Sequence, residues 1–182
     1  PDLWRLEGIL EKIEIIECDI TNEERLSKII QQICPQNIFH LAAIGLKPGQ
    51  EDLKKLFDVN FYGTVNLLNA CKKVGFDCFI NTGTASEYGN KDSSLSEDLH
   101  LEPQDNYSIS KAATTIYCQK EAKSGSPIYT VRPFCTYGNY EPPHRLIPTI
   151  ISNYLEKKPI QLSSPELVRD FIYVKDVANF YI

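Results

Sequence analysis

Apolar residues along this chain come in short β-branched runs, separated by longer stretches in which they recur every three or four positions. "KIEIIECDI" (12–20) is such a run and predicts a buried strand. "TNEERLSKIIQQI" follows with helical spacing at Leu26, Ile29, Ile30 and Ile33; Thr21 or Asn22 can cap it, and acids fill its first turn. "NIFHLAA" (37–43) reads as a second strand, before a loop carrying Gly45, Pro48 and Gly49. Leu53, Leu56, Phe57, Asn60, Thr64, Leu67, Leu68 and Cys71 share one stripe and predict a helix from Glu51 to Val74, ended by Gly75. "FDCFINTG" (76–83) is a third strand, and a polar loop runs on to Gln104. The next helix carries Tyr107 and reaches about Ser124, where Gly125 and Pro127 stop it; "PIYTVRPF" (127–134) is a fourth strand.

Strands alternating with helices predict an α/β fold built on a doubly wound parallel sheet. Continuous apolar runs suit parallel strands covered on both faces. Ligands bind such sheets beyond the carboxyl ends of the strands, here the loops after Asp19, Leu41, Thr82 and Phe134. After Pro133 the pattern changes to loop, helix (146–157), short strand, strand and helix. This reads as a small lobe at the C-terminal end (135–182), packed against a sheet domain (1–134).

The composition changes little in this picture. The 182 residues are 42% hydrophobic and 24% charged, ordinary for a globular chain with one sizeable core. A net charge of −5 offers no basic face for nucleic acid and no polybasic membrane patch. No apolar run approaches the ~18–20 residues of a membrane span, and "PDLWRLEGIL" lacks the pattern of a signal peptide. Cys18, Cys34, Cys71, Cys78, Cys118 and Cys135 form no CxxC, so they read as reduced core residues of a cytoplasmic protein. His40, His100 and His144 are scattered, and no metal site is expected.

The candidate chemistry starts at "DNYSISKAA". Tyr107 and Lys111 lie four apart, on one face of a helix. An adjacent ammonium stabilises a phenolate and lowers the tyrosine pKa, which makes the pair a tuned acid/base; the same spacing also suits an ordinary amphipathic helix. In "TGTASEYG", Thr84 sits at a strand end among small residues, where its hydroxyl can meet a ligand or simply shape a turn. In "VRDFIYVKDVA", Arg169 suits bidentate phosphate contact, or plain solvation.

Taken in order, "FHLAA", "NFYGTVNLLNAC", "NTGTASEYG", "YSISK", "VRPFCTYG", "RLIP" and "RDFIYVKDV" resemble the extended short-chain dehydrogenase/reductase family of NAD-dependent nucleotide-sugar epimerases and dehydratases. The resemblance covers nearly the whole chain. It implies a Rossmann-like fold, a nucleotide-diphosphate sugar as substrate, and NAD as cofactor, with NADP left open. It makes Tyr107 the catalytic acid/base, Lys111 its pKa partner and ribose contact, and Thr84 the hydrogen-bond partner of the reacting sugar oxygen. Asp19 and Ile20 match the pair beside the adenine. Leu41, Ala42 and Ala43 match the segment against the cofactor backbone, Asn60 a supporting helix asparagine, and Pro133 the strand end near the nicotinamide. On the substrate side the resemblance implies Ala85 and Ser86 after Thr84, Cys135 after the fourth strand, Leu146 and Ile147 around the nucleobase, and Arg169 on the diphosphate. It also implies a homodimer through helices 51–74 and 105–124.

Three departures shape the expected function. The family's opening strand and GxxGxxG turn do not occur, so the sheet is expected to lack its first strand or strands. On the order of 40–60 residues of a mononucleotide-binding half would precede this chain. "VANFYI" likewise stops inside an expected helix. Ala85 and Ser86 stand where the 4,6-dehydratases carry Asp and Glu, which argues against water elimination. Cys135 stands where many epimerases carry a substrate-binding Asn. The leading expectation is therefore an enzyme acting at C4 of the hexose, a 4-epimerase ahead of an NAD(P)H-dependent 4-ketoreductase. A non-catalytic dinucleotide-binding or regulatory protein on the same fold is the alternative from another class.

Overall fold

The computed structural model describes residues 3–45, 52–162 and 168–182. Pro48, Gly49 and the expected helix start at Glu51 lie outside them. The chain divides into two compact units, one of Glu17–Pro133 and one of Pro1–Ile16 with Phe134–Ile182.

In the first unit, three strands form a parallel sheet in the order β1 (Asn37–His40), β2 (Cys78–Thr82) and β3 (Ile128–Val131). Three helical stretches pack with it. Helix α1 (Glu23–Ile33) is capped by Asn22, whose side chain accepts from the Arg25 N–H at 3.0 Å. The second stretch opens as α2 (Leu53–Leu56), capped by Asp52, widens into a π-helical segment (Phe57–Tyr62), and continues as α3 (Gly63–Val74). Helix α4 (Asn106–Lys123) starts at a capping box between Asp105 and Ser108. The core is Leu26 and Ile30 from α1, Leu67, Leu68, Ala70 and Cys71 from α3, Phe79 and Ile128 from the strands, and Cys118 from α4.

Burial alternates along the strands. Phe79, Asn81 and His40 are covered by the helices, while Phe39 and Tyr129 are exposed on the sheet's other face. Buried polar bonds tie the sheet to the helices. The His40 ring nitrogen Nε2 lies 2.8 Å from the Thr64 hydroxyl, and Thr64 Oγ1 donates to the Asn60 carbonyl at 2.6 Å. Glu121 of α4 pairs with Lys72 of α3 and with Lys120.

The second unit holds a two-stranded parallel sheet, β4 (Cys135–Tyr137) with β5 (Phe171–Tyr173). It also holds α5 (Leu146–Leu155) and α6 (Val174–Tyr181). Gly138, at φ 143°, leaves room for Tyr173 and Val174: a Cβ there would meet the Val174 side chain at 2.5 Å.

Several expectations are corrected. Residues 12–20 form no strand. Their backbone is extended at Ile13, but among the described residues no strand pairs with them, and Ile13, Ile15 and Ile16 are exposed. A strand exists only by hydrogen bonding to a neighbour. The short strand expected after α5 is likewise not formed over residues 158–162, whereas β4, expected as loop, is a strand. Leu53 is exposed despite its place in the stripe. Cys34 is exposed as well, in a left-handed conformation that closes α1; all six cysteines are free thiols. Among the described residues no helix is long and apolar enough to cross a membrane.

Two predictions follow from the core. Phe79→Ala removes a side chain of zero exposure at the centre of the cluster. It should cost about 3–5 kcal/mol, read from urea unfolding midpoints. The second concerns His40, whose pKa burial and the nearby Lys111 charge depress from 6.5 to about 4. Between those values the unfolded chain binds the proton that the folded chain refuses. The stability from keeping His40 neutral is complete above about pH 6.5 and is lost as pH falls through about 4. The loss should reach about 3 kcal/mol, seen as a falling unfolding midpoint on acidification that His40→Gln flattens.

Candidate active site

The chemistry-bearing residues of the first unit gather at the carboxyl ends of its strands. After β2 the chain stays bonded to β3, the Gly83 N–H donating to the Val131 carbonyl at 2.7 Å and the Ala85 N–H to the Pro133 carbonyl at 3.2 Å. This brings Pro133 beside the Thr84 turn. Thr84 caps the short 3₁₀ turn Ala85–Tyr88, and its hydroxyl oxygen accepts from the Ser86 N–H at 3.3 Å. Among the described residues no acceptor takes the hydroxyl proton. Ala85 is half-buried and Ser86 exposed.

After β1, Asn60 holds both backbone groups of Ile44. Asn60 Oδ1 accepts from the Ile44 N–H at 2.9 Å, and Asn60 Nδ2 donates to the Ile44 carbonyl at 3.1 Å and to the Ser110 hydroxyl at 2.9 Å. The Ser110 hydroxyl donates in turn to the Tyr107 carbonyl at 2.7 Å. The Asn60 amide therefore couples the strand-end loop to the first turn of α4, where Tyr107 sits. Its own carbonyl accepts from the Thr64 and Thr114 hydroxyls. Gly45, at φ 109°, allows the Tyr107 ring close: a Cβ there would lie 2.7 Å from Tyr107 Cδ2. Leu41 and Ala42 are exposed and Ala43 is half-buried.

Asp19 and Ile20 sit ahead of α1. Asp19 is exposed, and its carboxylate accepts from the Thr21 N–H and hydroxyl at 2.9 and 2.8 Å, which hold its pKa down. Ile20 packs over Gly63, where a Cβ would meet its Cδ1 at 2.6 Å, and its carbonyl accepts from Asn66 at 3.2 Å.

The electrostatics depart from expectation. Burial pushes Tyr107 up to about 12, and the Glu87 and Asp105 carboxylates push the same way. The direction is opposite to the lowering expected from Lys111. Lys111 is 3% exposed and makes none of the ion pairs found among the described residues. Burial lowers its pKa, against the negative field of Glu87 and the smaller effect of Cys118.

Cys135, Leu146, Ile147 and Arg169 belong to the second unit. Cys135 opens β4, its N–H donating to the Asp170 carbonyl at 3.0 Å. Leu146 and Ile147 form the first turn of α5. Arg169 is exposed just before β5, with one guanidinium N–H on the Val168 carbonyl at 3.1 Å.

Residues not anticipated as site members surround the expected ones. Glu87, Arg132, Ser110 and Thr114 are legible only as a signal of context: two opposite charges beside apolar strand ends, and hydroxyls on the inward face of a helix. Among the described residues no group of three or more His, Cys, Asp or Glu is placed to hold a metal ion.

The comparisons with known proteins agree with this layout. The chain is 33% identical over 168 residues to the GDP-6-deoxy-D-talose 4-dehydrogenase of Aggregatibacter actinomycetemcomitans, covering 88% of this chain and 55% of that protein. It is 30% identical over 182 residues to the UDP-glucuronate 4-epimerase of Thermodesulfobacterium geofontis, covering 97% and 56%. Its fold matches the Bacillus anthracis dTDP-glucose 4,6-dehydratase, solved in complex with NAD, with a TM-score of 0.83 at 28% identity, covering 98% of this chain and 57% of that one. The architecture is therefore Rossmann-like, and the chain spans about half the length of these relatives. The model of the NAD dependent epimerase/dehydratase family matches residues 3–182. With the strand-end loops and the Tyr107 helix laid out as that fold requires, the chain belongs to the NAD dependent epimerase/dehydratase family.

Proposed function

We propose that this chain is part of an NAD(P)-dependent enzyme that acts at C4 of the hexose of a nucleotide sugar, most simply as a 4-epimerase. The observation that carries this reading is the placement of Tyr107 in the first turn of α4, coupled through Ser110 and Asn60 to Ile44 after β1, with the buried Lys111 ammonium one turn on and without an ion-pair partner among the described residues.

The residues fit a dinucleotide. An ammonium buried without a carboxylate partner is costly unless a ligand meets it, and Lys111 offers hydrogen bonds to ribose hydroxyls. Asp19 and Ile20 would flank the adenine, residues 41–43 the cofactor backbone and Pro133 the nicotinamide. When bound, NAD supplies a reversible acceptor for hydride. Tyr107 as phenolate takes the proton of the sugar C4 hydroxyl, and as phenol returns it. Lys111 would favour the phenolate by its charge, against the burial and the Glu87 and Asp105 carboxylates that raise the Tyr107 pKa. Thr84 donates its hydroxyl proton to the same sugar oxygen and holds it in line. In the second unit, Arg169 would meet the diphosphate, Leu146 and Ile147 the nucleobase, and Cys135 the sugar.

The similarity to a 4-dehydrogenase favours a 4-ketoreductase as second reading. A 4,6-dehydratase is disfavoured. Ala85 and Ser86 carry no acid, and Glu87 is fully buried with both oxygens engaged. Exposed Tyr62, Ile109 and Ile116 on the two long helices support a homodimer through them, and the free thiols suit a cytoplasmic enzyme.

With UDP-glucose and UDP-glucuronate as probes, the C4 epimer should form on added NAD, followed by proton NMR. Tyr107→Phe should lower kcat by about a hundred- to ten-thousand-fold while leaving NAD affinity nearly unchanged. Conversion only with NAD(P)H and a 4-keto sugar would move the assignment to the reductase, and a Tyr107→Phe variant of normal kcat would remove the mechanism.

A further inference from the structure

Glu87 is a carboxylate of zero exposure three residues past Thr84. One oxygen accepts from the Thr84 N–H at 2.9 Å, and the other accepts from Arg132 Nε at 3.0 Å. Arg132 Nη1 donates to the Tyr88 hydroxyl at 2.8 Å, and its guanidinium lies 5.0 Å from the Tyr88 ring centroid. Glycine at 83 makes the space: a Cβ there would lie 2.5 Å from Glu87 Oε1 and 3.2 Å from Arg132 Cγ. Well-packed apolar residues often stabilise a core as much as a buried ion pair does, or more. Stability alone therefore does not account for this pair.

We propose that Glu87 is a positioning residue of the Thr84–Tyr107–Lys111 site, fixing the Thr84 turn through the carboxylate oxygen that accepts from the Thr84 N–H while Arg132 anchors the other oxygen. The inference rests on the catalytic reading of that site. The charged and titratable groups around it come from every neighbouring element. Tyr107 faces Glu87 from the 85–88 turn and Asp105 from its own helix cap. Lys111 faces Glu87, Cys118 from α4 and His40 from β1. Arg132, from the end of β3, balances Glu87. In this arrangement the Glu87 charge favours the ammonium form of Lys111 against its burial and adds to the burial that raises the Tyr107 pKa.

Glu87→Gln keeps the shape and removes the charge. Tested in the full chain, with Tyr107 assigned by the loss of its ring ¹³Cζ signal in Tyr107→Phe, it should lower the Tyr107 titration from about 12 while leaving the larger part of the rise, which burial causes. Amide exchange at Thr84 should quicken about tenfold. The plateau kcat should fall about tenfold or more, with KM for the nucleotide sugar within about threefold. A double variant, Glu87→Leu with Arg132→Met, separates positioning from packing. It should recover the melting temperature lost in Glu87→Gln but neither kcat nor the Tyr107 titration. Recovery of kcat in the double variant overturns the proposal, as does a Glu87→Gln variant with an unchanged Tyr107 titration and Thr84 exchange. If the wild-type chain turns over no nucleotide sugar, the catalytic reading fails by itself, and the exchange and titration data still show whether Glu87 holds Thr84 and Tyr107.

Discussion

The side-chain amide of Asn60 is the interaction on which the site depends. A primary amide offers one acceptor and two donors, and here all are used in one direction each: toward both backbone groups of Ile44 and toward Ser110. Asn60 is fully buried, so each bond is made where a missing partner costs free energy. The loop beyond β1 thereby behaves as though it continued the sheet onto a helix. Tyr107, whose carbonyl receives Ser110, is placed by the same group. Removing Asn60 would free the strand-end loop and the start of α4 together.

A few charges of this unit lie where water does not reach. Lys111, Glu87 and Arg132 are all largely buried, and only the last two are paired to each other. The low dielectric lets each act on its neighbours more strongly than at a surface. That is why Tyr107 rises while His40 falls: each avoids adding a charge the surroundings do not favour. The cost of such burial is set against the gain of a site whose charges need not reorganise when a substrate's charge changes.

Much of the fold was legible because its signals are local. The runs at β1, β2 and β3, the Asn22 cap of α1 and the Gly75 stop after α3 each act within a few residues. Tyr107, Lys111 and Thr84 could be picked out because helix spacing and strand ends are local too. Residues 12–20 misled for the opposite reason, since β-branched residues describe a strand's surface but not its partner. The inward face of α4 is polar, with Ser108, Ser110, Thr114 and Thr115 buried, so a search for apolar stripes could not orient it. The Glu87–Arg132 pair joins residues 45 apart, and nothing in either segment announces the other.

The π-helical segment at 57–62 sets the rotation of the helix that follows it. A wide turn accommodates one more residue than an α-turn, with the Gly63 N–H reaching back five positions to the Asp58 carbonyl. Everything after it is rotated by about 100° relative to a regular helix of the same length. A single-residue deletion there would straighten the helix and swing Asn60 out of phase with either Thr64 and the core or Ile44 and the loop. The irregular turn is thus a phase shifter: it lets one face of a continuous helix serve the loop before it and the sheet after it, and its length in residues is constrained as tightly as any side chain in the site.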